Sequence, residues 1–207
     1  MRCWRVRFFP AVKFRRYTIG LGVLALLAGG AALHPMTGAA GRLMSGSERS
    51  TLLGGYGTII ADYLWLETNL AWEIRDVTKV RQLIDLTMKS DPQTAYYWLN
   101  GARILAYDFP AWRCEAASLA PLAVQANWRM TGANEALLLL ERGQRWHHKS
   151  AVLHLEMANI CLYGLGDRHR AAEYYRLASE QGDAPEYAVR IYTRLHDEEV
   201  AGMLLTR

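Results

Sequence analysis

The stretch that most constrains this chain runs from Ser150 to Pro185 and reads as two antiparallel helices joined at Gly164-Leu165-Gly166-Asp167. Its first half, VLHLEMANICLY, sets Val152, Leu155, Ala158 and Leu162 on one face at helical spacing. Its second half, RHRAAEYYRLASE, does the same with Ala171, Tyr174 or Tyr175, and Ala178. Gly166 tolerates the left-handed exit from one helix and Asp167 caps the start of the next, so the turn needs two residues. Gly182-Asp183-Ala184-Pro185 closes the unit. A hairpin with apolar residues on both sides cannot bury them alone and requires stacked neighbours.

Ala171, Tyr175 and Ala178 fall at the small, aromatic and small offsets that follow the Gly-Asp turn of a tetratricopeptide repeat, and the hairpin resembles that family. The longer string EMANICLYGLGDRHRAAEYYRLASEQGDAPEYAVRIY is similar to bacterial membrane-anchored tetratricopeptide proteins with no assigned activity. The resemblance implies an all-α, short helical-hairpin solenoid that acts as an interaction scaffold. It carries no catalytic residues.

The net charge of +4 belongs to one end of the chain. Residues 1–16 hold six basic and no acidic side chains, which leaves 18 basic against 20 acidic residues, a net of −2, for the rest. The body therefore has no basic excess for nucleic acid. The basic arm reads either as a strip lying on an anionic membrane surface or as a topogenic flank, and the next segment favours the flank. Tyr17 to Leu33 is free of charge over seventeen residues, about 26 Å of helix against a hydrocarbon core of roughly 30 Å. With the positive arm inside, everything beyond it is extracytoplasmic. An uncleaved signal anchor at 17–34 is the favoured reading, with a cleaved signal peptide as its rival because small residues at Ala31, Ala32, Ala39 and Ala40 supply cleavage sites. Residues 35–57 are rich in Gly, Ser and Thr and read as a flexible tether.

The remaining residues, 58–207, read as the repeat domain. Thr58 to Asp76 is expected to be helical, with Ile59, Tyr63, Leu66, Leu70 and Ile74 recurring on one face. Val77 to Ser90 repeats the pattern with Val80, Leu83, Ile84 and Thr87 and stops at Asp91-Pro92. The next helix opens at Ala95, with Gly101 four residues after Tyr97 as a small residue should follow an aromatic one. Phe109-Pro110 interrupts the period, so residues 111–132 are expected to be an insertion of two short helices meeting near Pro121. Asn134 to His148 then supplies the delayed second helix, with Ala136 and Gly143 at the small positions. Pro185 to His196 reads as the solvating end helix of a solenoid.

No phosphate loop, HExxH, GxSxG or dinucleotide fingerprint occurs, and the carboxylates form no acid–base constellation, so the chain does not read as an enzyme. Three cysteines without CxxC spacing exclude the usual zinc and redox motifs. Cys114 and Cys161 either pair in an oxidising compartment or serve as small buried apolar residues, the reading favoured here. Among His147, His148, His154 and His169, no pair of histidines has an acidic or thiol ligand at i+3 or i+4 from it, and neither metal nor cofactor is called for.

Counting the repeat from Pro92 sets Trp65 and Trp72 of the first repeat, Trp98 of the second, and Glu156, Ile160 and Tyr163 of the third toward a concave groove. Aromatic anchors carry binding energy, and such grooves take extended peptides. Trp65, Trp72, Trp98, Glu156 and Tyr163 are thus the expected contacts for another envelope protein or peptide. The competing view is that these aromatics are core. An extracytoplasmic ligand or glycan receptor, stacking sugar rings on Tyr96, Tyr97 and Trp98, is the second functional reading; an α-helical enzyme is the third.

Overall fold

The computed structural model describes residues 56–205, and their side chains through residue 198. The basic arm, the apolar segment at 17–33 and the tether as far as residue 55 lie outside the described residues. Among the described residues there is no strand, and no helix is long and apolar enough to cross a membrane. The architecture is all-α.

Helices α1 (Tyr56–Glu73) and α2 (Val77–Ser90) form the first hairpin. Helix α3 (Ala95–Arg103) runs through a π-helical turn, Ile104–Asp108, into α4 (Phe109–Ala116), and this continuous rod packs against α5 (Leu122–Gln144). Helix α6 (Ala151–Asn159) continues through a second π-turn, Ile160–Leu165, and pairs with α7 (Arg168–Ser179). Helix α8 (Glu186–Leu205) lies against α7.

The turns follow from their residues. Gly166 takes a left-handed φ of 70°, and the Asp167 side chain accepts from the Arg170 N–H. Asp76 caps α2 in the same way through Lys79. Two further aspartates close whole hairpins. Asp91 accepts from the Thr58 hydroxyl at 3.0 Å and from Thr94 at 2.8 Å, tying the start of α1 to the start of α3. Asp183 accepts from the Ser150 hydroxyl at 2.9 Å and the Ala151 N–H at 2.8 Å, tying the end of the third hairpin to its beginning. Both hydroxyl–aspartate pairs lie 33 residues apart.

Several expectations require correction. The face of α1 carrying Ile59, Tyr63, Leu66, Leu70 and Ile74 is exposed, and Ala61, Trp65, Thr68 and Ala71 are the buried residues. The small residues win because they let α2 approach closely, while Thr58 binds Asp91 at the end of α2, Asp62 binds Tyr97 of α3, and Trp72 binds Asp108 of the π-turn. Val152 is likewise exposed, because α6 buries every residue from Leu153 to Ala158 between its neighbours. Tyr175, rather than Tyr174, is the fully buried ring of α7.

Residues 111–132 are not two short helices. Pro121 does stand at a junction, but the segment after it is the first part of the long α5, which ends at Gln144 before His147 and His148. The insertion lengthens both rods of the second hairpin. Pro110 does not break its helix because the π-turn absorbs it. A proline has no N–H to give and crowds the carbonyl four residues back. Here the Phe109 N–H reaches five residues back to the Ile104 carbonyl, and the Leu105 carbonyl faces α5.

Helix α5 meets that carbonyl with no side chain. A Cβ on Gly132 would stand 2.5 Å from the Leu105 oxygen and 2.7 Å from Pro110 Cγ. Gly132→Ala is therefore expected to destabilise the chain by about 1–3 kcal/mol. Gly182→Ala, with nothing within 4 Å of the added methyl, should leave stability close to wild type. Urea denaturation of the full chain, followed by tryptophan fluorescence, separates the two.

Candidate functional site

The outward stripe of the second hairpin's first rod is Tyr96, Asn100, Arg103 and Tyr107, at i, i+4, i+7 and i+11. The opposite face of the rod carries Trp98, Gly101, Ala102 and Leu105 into the core. Gly101 admits Met88 and Ile84 of α2, and Gly143 admits the Trp98 ring. Packing thus turns the polar and aromatic stripe away from α2 and α5.

The stripe meets α6 through one ion pair. Arg103 Nη2 donates to Glu156 Oε2 at 2.6 Å. Glu156 is 4% exposed, whereas half of the Arg103 side chain remains open to solvent. The Glu156 hydrogen bond raises the Arg103 guanidinium above its ordinary value, against the opposing effect of burial. Asn159 lies one turn further along α6 and its Oδ1 accepts from the Tyr175 hydroxyl at 2.7 Å. Burial raises the Tyr107 phenol, and the Glu156 charge adds to the effect, with Tyr175 and Tyr163 acting in the same direction. Burial also pushes the Tyr175 phenol up to about 12. Tyr163 stands 73% exposed beside this group.

The two π-turns place tyrosines alike. Ala95 and Ala151 each open nine α-helical residues before the turn, and Tyr107 and Tyr163 are each the fourth residue within it. Such turns often occur at functional sites.

Aromatic packing extends toward α1. The Tyr97 hydroxyl donates to Asp62 Oδ1 at 2.5 Å, and the Trp65 ring meets Tyr96 edge-on with centroids 5.8 Å apart. Trp72 Nε1 donates to Asp108 Oδ2 at 2.8 Å, and burial raises the Asp108 carboxyl against that bond. The Trp72 ring also packs on Trp112, whose own ring lies 5.9 Å from the Arg75 guanidinium. Arg75 holds a left-handed φ of 58°, a conformation costly for a residue with a Cβ, and binds Glu115 at 2.8 Å. The lengthened second hairpin is thereby latched to the end of α1.

Of the five contacts expected from sequence, the structure brings Glu156 and Tyr163 together. Trp65 and Trp98 are 8% and 3% exposed, and Trp98 Nε1 is committed to the Pro92 carbonyl at 2.9 Å. Trp72 is half-buried and ends in its Asp108 bond. Ile160 is fully buried. Among Tyr96, Tyr97 and Trp98 only Tyr96 is exposed, which leaves one ring where three were expected to stack. Counting from Pro92 aimed at Trp98 and passed over Tyr96, Asn100, Arg103 and Tyr107, although their helical spacing was visible.

Cys114 and Cys161 are free thiols, and burial pushes the Cys161 thiol up to about 11. His147 Nε2 lies 3.3 Å from the Pro92 carbonyl, and His154 Nδ1 lies 3.4 Å from that of Ser150. Among the described residues, no group of three or more His, Cys, Asp or Glu side chains could hold a metal ion. No protein-family model matches this chain, and neither a curated protein nor a solved structure matches it.

The tyrosine group offers aromatic edges, neutral hydroxyl donors and one fixed ion pair. Arg103→Met should cost about 2–3 kcal/mol, because it strands the buried Glu156 carboxylate, and the Arg103→Met, Glu156→Gln double variant should recover part of that loss. Denaturation of the four members of this cycle measures the coupling. The phenols of Tyr97, Tyr107 and Tyr175 are all raised in the folded chain. Their contribution is therefore complete below the ordinary tyrosine value of about 10 and is lost as pH rises past it. Phenolate absorbance and helical circular dichroism, recorded together in alkali, should show these rings ionising only as helix is lost.

Proposed function

We propose that this chain is a membrane-anchored, tetratricopeptide-like scaffold that holds a partner protein or peptide in a groove between the first helices of its hairpins. The observation that carries the reading is the line of exposed Tyr96, Arg103 and Tyr107 and half-buried Asn100 beside Glu156 and Tyr163, organised around the Arg103–Glu156 ion pair. Tyrosine and arginine are enriched among binding anchors, since their apolar bodies cover a partner while their polar ends satisfy its backbone. Tyr97 and Trp98 support this line from beneath. The Arg103–Glu156 pair fixes the charge and direction of the surface.

On this reading Tyr17–Leu33 is the anchor, the arm at 1–16 stays in the cytoplasm, and the repeat domain works at the outer face of a bacterial-type inner membrane. The partner is another envelope protein or peptide, and the role is assembly rather than catalysis. In-cell crosslinking of a C-terminally tagged full chain, followed by mass spectrometry of membrane extracts, tests it. A Tyr107→Ala, Tyr163→Ala double variant with unchanged circular dichroism should lose the partner by about tenfold or more. Equal recovery of the partner by the variant would remove the groove from the reading.

A further inference from the structure

The outer face of α1 carries more exposed apolar surface than a helix at the end of a stack needs. Tyr56, Ile59, Ile60, Tyr63, Leu66, Leu70 and Ile74 are between 38% and 73% exposed, all turned away from the buried Ala61, Trp65, Thr68 and Ala71. Scattered single residues of this kind are ordinary, whereas a continuous strip marks a binding surface. The spacing along the strip is specific. Tyr56, Ile59, Tyr63, Leu66 and Leu70 follow one another at intervals of three, four, three and four. That alternation is the knob spacing by which one helix packs along another.

The edges of the strip are acidic. Asp62 and Glu73 are exposed, and Glu67 lies between them. Among the described residues, Asp62 accepts from the neutral Tyr97 hydroxyl, and Glu67 meets Lys79 in a loose pair at 3.4 Å. Arg75, just beyond the helix, is taken by Glu115. A second copy of the chain would bring the same acids to the same edges, and among the described residues the basic side chains beside them, Lys79 and Arg75, already face Glu67 and Glu115. Anionic lipid headgroups would be repelled for the same reason. A helix edged with Lys or Arg satisfies both the spacing and the charge.

We propose that the outer face of α1 is a second docking surface, distinct from the tyrosine groove, which takes an amphipathic helix of another protein with apolar residues at three- and four-residue intervals and basic residues along its edges. The interaction is a helix pair about 27 Å long, the length of an 18-residue helix. Apolar knobs supply the contact area, and the acids select the partner and its orientation.

The test is site-specific photocrosslinking in cells with the full chain carrying benzoylphenylalanine at Leu66 or Leu70, and at the exposed Leu138 of α5 as a control. The expected result is an adduct at Leu66 and Leu70, but not at Leu138, whose crosslinked peptide comes from another protein and has the stated apolar spacing and basic edges. Reversing charge with Glu67→Lys and Glu73→Lys should lower that adduct by about tenfold. Circular dichroism verifies folding, and Glu67→Gln with Glu73→Gln replaces the reversal if helix is lost, with a smaller fall expected. Adducts to a second copy, to residues 1–55 of the same chain or to lipid would overturn the proposal. So would an acidic or non-helical peptide, the absence of any adduct, or a yield indifferent to charge. The groove double variant should leave this adduct intact, so failure here and failure of the groove reading are separately visible.

Discussion

Close approach to α5 is the constraint on which the rest of the described structure depends. Gly132 faces the Leu105 carbonyl, the Ala133 methyl lies 3.1 Å from where a Cβ on Gly164 would stand, and Gly143 receives both Trp98 and Leu153. Ala136 and Leu140 complete the line with no exposed surface. Small residues at three- and four-residue intervals let the helix touch both π-turns and three α-helices, α3, α4 and α6, at once. Each neighbour therefore takes its rotation from α5. That rotation turns Arg103 toward Glu156 and sends Tyr107 and Tyr163 outward.

Polar groups are handled by the same economy. Thr68 and Thr87 are fully buried, and each hydroxyl returns to the carbonyl four residues earlier, leaving the small face of its helix free to pack. Asp91 accepts from the Gln93 N–H in the turn before α3, and Asp183 satisfies the Ala151 N–H at the start of α6, a donor that would otherwise be unpaired. Among the described residues, no buried side-chain nitrogen or oxygen lacks a partner. Order in the site thus comes from a backbone of satisfied caps and glycine contacts, with Arg103–Glu156 as a charged link across it.

Much of this was legible in the sequence. The bounds of α2, the Gly166-Asp167 turn, the small residues at Gly101, Ala136, Gly143, Ala171 and Ala178, and the all-α class follow from local chemistry. Glycine left-handed turns, aspartate caps and helical spacing act over a few residues and leave direct marks. The errors arose where two faces of one helix competed. On α1 Ile59, Tyr63, Leu66, Leu70 and Ile74 share one exposed face at helical spacing, while Ala61, Thr68 and Ala71 face the neighbours with Trp65, because close packing between helices favours small residues. On α3 the tryptophan drew the eye, while Gly143 had opened a pocket for it 45 residues away.

The sequence by itself determined the bounds of α2, the hairpin turn at Gly166-Asp167, and that the charge excess sits in the first sixteen residues, because these depend on capping, turn residues and composition. Only the tertiary structure decided which face of each helix is spent on packing. It decided that Pro110 is accommodated by a π-turn, that Trp65 and Trp98 are interior, and that an arginine and a glutamate 53 residues apart meet beside a group of tyrosines. Helical periodicity names the residues that share a face. The volume left by neighbouring glycines and alanines decides whether that face turns inward or out.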